Sequence, residues 1–107
     1  MSCATTEGLL RGMLVRLDFS ADDLFIRHLA ELDQALGEIE RQDLRHASVA
    51  HLRAAHDAIE AAAGAFGPWR YSSDPEHAHL PLFQREALRL LETATIEREE
   101  ATRLAAP

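Results

Sequence analysis

The segment 48–67, SVAHLRAAHDAIEAAAGAFG, is the feature that most limits what this chain can fold into. Five of its residues, all apolar except His56, recur at alternating steps of three and four, which places them on one face of an α-helix: Val49, Leu52, His56, Ile59 and Ala63. Alanines fill most of the remaining surface. A helix with so little polar surface is usually packed on more than one side, and small side chains let its neighbours approach closely. We therefore expect a central helix.

A second helix is predicted over residues 21–41, where the apolar positions are typical of a coiled-coil seam: Phe25, Leu29, Leu32, Leu36 and Ile39. Ser20 precedes it as an expected N-cap. The apolar phase is lost between this stripe and the next, which indicates a turn followed by a new helix over 44–64. Gly64, Gly67 and Pro68 are expected to end that helix.

The last predicted helix covers residues 82–105, with a core face made by Phe83, Ala87, Leu90, Ala94, Ala101 and Leu104. Leu88 and Ile96 fall away from this face and offer a second contact surface. The pattern over residues 6–18 fits a short helix or a strand. We favour the helix, because nothing else in the chain offers a strand to pair with.

Together these patterns predict an all-α fold, a small antiparallel helical bundle of three to four helices, completed by dimerisation. The length of 107 residues fits one domain over 1–107. Apolar stripes on three helices and an alanine-rich helix with several usable faces favour the homodimer.

Charge and composition exclude several functions. The formal charge is −7 and every basic residue is an arginine. Direct binding of nucleic acid is not expected, because it requires a positive patch. The absence of lysine removes P-loop and Schiff-base chemistry. The chain has a single cysteine, Cys3, and we see neither a secretory leader nor a long apolar run. We therefore expect a cytoplasmic protein without membrane contact.

Residues 67–81 form the only long stretch predicted to be irregular. Trp69, Arg70 and Tyr71 lie within it, and these three residue types dominate the energetics of protein interfaces. One interpretation is that this loop packs onto the end of the bundle, with Trp69 covering the core. The other, which we assign to these residues, is that they bind a partner protein together with the exposed Leu88 and Ile96.

The histidines offer weaker hypotheses. His46, His51 and His56 are spaced by five residues, so their side chains fan out around a helix instead of meeting at one ion. His77 and His79 with Glu76 are a better candidate metal site, although a stable site needs three or four ligands. No cofactor is expected.

His56 has two interpretations. One is a partly buried histidine with its ring nitrogens bonded to neighbours. The other rests on the helix 25–39, the run Leu52-Arg53-Ala54-Ala55-His56 and the closing Phe66-Gly67, which resemble histidine-containing phosphotransfer domains. The resemblance implies a four-helix bundle with His56 as phospho-acceptor. It departs from the family pattern at Ile59 and Glu60, where the family has lysine and glycine.

The sequence therefore favours a non-enzymatic protein that acts through protein–protein contact, as a regulator, adaptor or inhibitor. The alternative is a histidine-dependent protein, with phosphotransfer at His56 or metal binding at His77 and His79.

Overall fold

The computed structural model describes residues 3–42, 46–70 and 80–105, with the side chains of all of these except 67–70 and 80–81. Four α-helices make up most of these ranges: α1 (Cys3–Arg16), α2 (Asp22–Arg41), α3 (Ala47–Arg70) and α4 (Leu80–Ala105). No strand occurs in the described ranges. The predicted all-α helical bundle is confirmed, and residues 6–16 are helical.

The helices alternate in direction along the bundle. Gln84, near the start of α4, donates its side-chain amide to the carbonyl oxygen of Leu14, near the end of α1, at 2.9 Å. Arg53, near the start of α3, reaches Glu40 at the end of α2. α1 and α4, and likewise α2 and α3, therefore run antiparallel, as predicted for the bundle.

The pairing of α3 with α4 is the most extensive in the bundle. Small residues recur at every seventh position on both helices and are buried there: Ser48, Ala55 and Ala62 on α3, and Ala87, Ala94 and Ala101 on α4. Since His51 of α3 meets Glu97 of α4, the antiparallel geometry brings these two small rows to matching levels. We call these two rows the small-residue seam. Helices that face each other through alanine can approach closely.

Larger side chains fill the core on either side of the small-residue seam. The largest fully buried ones are Phe25, Phe66, Leu14, Leu36, Ile59 and Leu91. α3 contacts each of the other three helices, as α1 also does, so it packs on more than one side but shares the central position with α1. Among the described helices, α2 and α4 occupy opposite corners and have no backbone contact with each other. None of these helices combines a membrane-spanning length with the apolar composition that a lipid core demands.

Two helix boundaries predicted around residues 67–81 were wrong. α3 does not end at Gly64 but continues through Gly67 and Pro68 to Arg70, so residues 67–70 are helical where an irregular stretch was predicted. Phe66 is fully buried against the bundle and packs on Phe19 with ring centroids 5.3 Å apart, and such packing overrides weak local propensity. Pro81 lies in the first turn of α4, where a missing N–H costs no helical hydrogen bond.

α1 begins earlier than the predicted residue 6, at Cys3, which it buries. Ser20 does not cap α2. Its N–H bonds to the Asp18 carboxylate at 3.0 Å, and the N-cap position is Ala21, which has no side-chain hydrogen bond. α3 is preceded by His46, whose ring Nδ1 lies 3.1 Å from the Ser48 nitrogen and accepts its N–H.

We predict that a larger side chain in the small-residue seam destabilises the protein. Ala62→Leu should lower the free energy of unfolding by about 1–3 kcal/mol, because the extra carbons have no space between two closely approaching helices. Ala61→Leu is the matched control, since Ala61 is exposed on the neighbouring position and should change stability by less than about 0.5 kcal/mol. Denaturant unfolding of both variants would measure the difference, and equal stabilities would contradict close packing at Ala62.

Candidate functional site

His56 lies on the inner side of α3 with 5% of its side chain exposed. Its Nδ1 is 2.9 Å from an oxygen of Asp57 and 3.4 Å from a nitrogen of Arg53. Its Nε2 is 4.0 Å from an oxygen of Asp33 on α2. A phospho-acceptor nitrogen has to meet a phosphoryl group from solution, so this burial favours the interpretation of a structural histidine bonded to its neighbours.

Beside His56, Arg53 clamps α2 to α3. Its guanidinium donates to both oxygens of Glu40, at 3.1 and 2.7 Å, and to Asp33 at 2.7 Å. These hydrogen bonds hold the pKa of both carboxyls below their ordinary values and raise the pKa of Arg53. All three groups are therefore charged at neutral pH, and the cluster is a stable set of ion pairs.

The other histidines do not converge on one site. His51 approaches Glu97 of α4, with Nδ1 to Oε2 at 2.5 Å, while His46 bonds to the start of its own helix. In the part of the chain that the structure describes, no three histidine, cysteine, aspartate or glutamate side chains come together as a metal site would require. The alternative ligands His77, His79 and Glu76 lie outside the described residues.

The predicted partner-binding residues fall in different places. The backbone of Trp69 and Arg70 belongs to the last turn of α3, their side chains are outside the described part, and so is all of Tyr71. Leu88 is partly buried and packs against the core. Ile96 is 60% exposed on the outer side of α4.

Exposed apolar side chains gather at one end of the bundle. Among the described residues, six large hydrophobic side chains are exposed, and five lie where α1 ends and α2 and α4 begin: Val15, Leu17, Leu24, Ile26 and Leu82. We call these five residues the apolar end. These helix ends lie at the same height along the bundle. Gln84 of α4 is hydrogen-bonded to Leu14 of α1, and Phe19, just before α2, packs on Phe66 of α3. The sixth exposed residue, Ile96, lies elsewhere.

One member of the apolar end, Leu17, has a strained backbone. Its φ is +54°, in the left-handed region that glycine usually fills where a helix ends. The N–H of Asp18 bonds back to the carbonyl of Met13 at 3.3 Å, which completes a Schellman-type termination of α1. A side chain in this conformation costs roughly 1–2 kcal/mol. Leu17 is 36% exposed, so the fold covers part of its apolar surface and leaves the rest open to solvent.

Charge is divided between the two halves of the bundle. The half that holds the apolar end, residues 11–29, 59–66 and 82–90, has five arginines and five acidic residues. The other half, residues 3–10, 30–41, 47–58 and 91–105, has four arginines and ten acidic residues. We call this second half the acidic half. The described net charge therefore lies entirely in the acidic half.

Glu7 is the only carboxylate among the buried polar residues of the described chain. It accepts hydrogen bonds from Arg98 at 2.6 Å and from Thr95, and it pairs with Arg11 at 3.3 Å. Burial alone would raise the pKa of Glu7, but the bonds from Arg98 and Thr95 and the charges of Arg98 and Arg11 outweigh it, so the pKa lies below 4.5. Glu7 thus fastens α1 to α4.

A cavity of about 390 Å³ opens next to this cluster, between the corners formed by α2 and α4. Four residues of one face of α2 make its main wall: Leu32, Ala35, Leu36 and Ile39. Leu52 of α3 and Cys3 and Ala4 of α1 extend the apolar lining, and Arg98 and Thr102 of α4 complete it. Burial and the charge of Glu7 raise the pKa of the Cys3 thiol, despite the opposing charge of Arg98, so it stays protonated at neutral pH.

Comparison of the chain with models of protein families, with curated proteins and with solved structures found no match. The function has to be argued from this chain's own residues.

Sequence reasoning missed Glu7, Leu17 and the cavity. A signal for Glu7 was present, since it stands three and seven residues before the buried Leu10 and Leu14 and therefore shares their helix face. Leu17 carried no signal, because glycine is the residue expected at a left-handed helix end.

We predict that His56→Leu leaves the protein folded, with a free energy of unfolding within about 1 kcal/mol of the parent. Asp57 and Asp33, which face the ring, are 63% and 60% exposed, so water can satisfy them once the imidazole is gone. Denaturant unfolding tests this. A loss of several kcal/mol would show that the His56 contacts stabilise the α2–α3 pairing.

A second prediction concerns pH. Because the folded pKa of Glu7 is below the unfolded one, its carboxylate stabilises the fold above about pH 4.5, and this stabilisation is lost as pH falls through the folded pKa. Glu7→Gln should be less stable at neutral pH by roughly 1.5–3 kcal/mol, since it removes hydrogen bonds to a charged group. The difference from the parent should shrink in acid.

Denaturant unfolding at several pH values would follow this difference. Glu92→Gln, at an exposed position of α4, is the control and should change stability by less than about 0.5 kcal/mol at neutral pH. A Glu7→Gln deficit that is the same at every pH would contradict the assigned role of the carboxylate charge.

Proposed function

We propose that this protein is a non-enzymatic homodimer that acts through protein–protein contact, as a regulator, adaptor or inhibitor. The observation that carries the proposal is the apolar end, where five of the six exposed large hydrophobic side chains in the described chain gather. Apolar surface concentrated in one place is typical of interaction sites. The occupant that we assign to the apolar end is a second copy of the chain.

The strained backbone of Leu17 supports an interaction role for this surface. Strain of this kind persists where another requirement outweighs its cost, and such positions cluster at functional sites. Leucine at a position suited to glycine provides apolar surface, and the isolated bundle leaves 36% of this residue exposed. A partner that covers Leu17 supplies the missing stabilisation.

The division of charge favours a second copy as the occupant. Two chains of formal charge −7 repel each other, and the repulsion is smallest when their neutral halves meet. A two-fold dimer needs a self-complementary surface. Arg16, Arg27 and Arg85 lie near the apolar end together with Asp18 and Asp23, so arginines of one copy can face aspartates of the other.

Such a dimer directs its two acidic halves outward. We assign the contact with the regulated partner to this surface, which includes the exposed Ile96. A basic partner is the complementary class, and a protein whose nucleic-acid groove this chain occupies is one concrete form. Trp69, Arg70 and Tyr71 remain predicted contributors to protein contact, and since α3 ends with Trp69 and Arg70 at the level of the apolar end, we assign their contribution to that end and not to the acidic half.

The electrostatics of the described residues also support a non-enzymatic role. A general acid or base works best with a pKa near the working pH. In this chain the pKa shifts lead away from neutral pH. The pKa values of the carboxyls of Glu7, Asp33 and Glu40 are lowered, and those of Cys3, Arg53 and Arg98 are raised. Such shifts are typical of structural ion pairs.

We predict that Val15→Asp weakens the dimer at least about tenfold, because burial of a valine side chain contributes roughly 1.5 kcal/mol or more and a buried aspartate adds a further cost. Ile96→Asp is the matched control. Both residues are β-branched, helical and 60% exposed, but Ile96 lies in the acidic half. Sedimentation velocity over a concentration series would give the dimer dissociation constant of each variant.

The parent and Ile96→Asp should dimerise alike, while Val15→Asp shifts toward monomer. A parent that stays monomeric at high concentration overturns the assignment of a second copy. Equal effects of the two substitutions would place the dimer contact outside the apolar end.

A further prediction separates folding from association at Leu17. Leu17→Gly should raise the free energy of unfolding of the monomer by about 1 kcal/mol, because glycine adopts the left-handed conformation without strain. The same substitution should weaken the dimer, because it removes contact surface. Denaturant unfolding at concentrations low enough to populate the monomer tests the gain in stability, and sedimentation velocity tests the loss of dimer affinity. A Leu17→Gly variant that dimerises as well as the parent would contradict a role for Leu17 in the interface.

A further inference from the structure

The cavity lies in the acidic half, away from the apolar end, so an inference about it does not depend on the proposed dimer. Seven of its nine lining residues are apolar side chains of α1, α2 and α3, counting Cys3 as apolar. Its volume of about 390 Å³ falls within the range of small-molecule pockets. The cavity exists because α2 and α4 stand at opposite corners, and Ala4 and Ala35 are too small to fill the space between them.

The polar lining sets the kind of ligand. Arg98 is the only charged residue among the nine, and Thr102 stands one helical turn beyond it. The Nε of Arg98 donates to Glu7 at 2.6 Å, and a guanidinium carries four further N–H groups. A carboxylate is the group that a guanidinium binds with the best geometry.

We propose that this cavity binds an amphipathic carboxylic acid with an unbranched apolar chain, the chain lying against α2 and Leu52 and the carboxylate on Arg98. The bound apolar chain fills the space between α2 and α4, whose described backbones do not contact each other. The Glu7–Arg98 ion pair holds the guanidinium in place before the ligand enters, so little ordering is needed on binding.

Calorimetric titration of the 107-residue chain with octanoate and decanoate tests the proposal. Each methylene buried in the cavity is expected to contribute about 0.8 kcal/mol, so decanoate should bind roughly fifteenfold more tightly than octanoate. Decanol, which has the same chain without the charge, should bind at least about tenfold more weakly than decanoate. The head group is varied in the ligand because replacing Arg98 would leave the buried Glu7 without its main partner.

Two substitutions on α2 locate the site. Ala35→Phe places a ring in the cavity and should reduce decanoate affinity more than tenfold, while Ala30→Phe, at an exposed position of the same helix, should leave it unchanged. Cys3 is the single thiol of the chain and lines the cavity, so decanoate should also slow its alkylation in the parent.

The outcomes separate the possibilities. Chain-length dependence, loss of binding in Ala35→Phe and protection of Cys3 together support the proposal. It is overturned if the protein does not bind decanoate, if Ala35→Phe binds like the parent, or if decanol binds as tightly as decanoate. Binding that is abolished by Val15→Asp and retained by Ala35→Phe also overturns it, because the ligand then occupies the apolar end.

Discussion

The close approach of α3 and α4 through the small-residue seam is the interaction on which the rest of the structure depends. Serine and alanine at every seventh position of α3 face alanines at every seventh position of α4, so the two longest helices meet with little between their backbones. Beside the small-residue seam, the α3–α4 hairpin carries large side chains such as Phe66 and Leu91. These are fully buried, and α1 and α2 pack against this face of the hairpin. Bulk inserted into the small-residue seam would therefore disturb all four helices.

α1 and α2 join this hairpin by a different means. Each adds a stripe of large apolar side chains and one arginine-centred cluster, Arg98 with Glu7 for α1 and Arg53 with Glu40 and Asp33 for α2. Geometrically specific ion pairs of this kind fix the register of a helix more than they add stability. Because α2 and α4 are each anchored to other helices and not to each other, the space between them is left open as the cavity.

The fold could be predicted from the sequence because hydrophobic periodicity reports which helix faces are buried. Phe25, Leu32 and Leu36 are buried as their spacing indicated, and α3 packs on more than one side as its alanines indicated. Helix ends were predicted less well, since Pro68 and Pro81 act as breakers only when no tertiary contact or first-turn position accommodates them. The apolar end could not be predicted, because it depends on which helix ends share a level and on the backbone of Leu17, and neither is encoded in local periodicity.

The distribution of strain and charge argues for recognition more strongly than any single residue does. A fold under selection for stability alone would place glycine at position 17 and spread its acidic residues evenly, since both choices lower the energy of the monomer. This chain does neither: it holds a leucine in a left-handed conformation at one end, and within the residues that the structure describes its net charge is concentrated at the other end. The strained leucine and the concentrated charge lie toward opposite ends of the long axis of the α3–α4 hairpin. An arrangement in which neutral ends associate and acidic ends face outward accounts for both of them together.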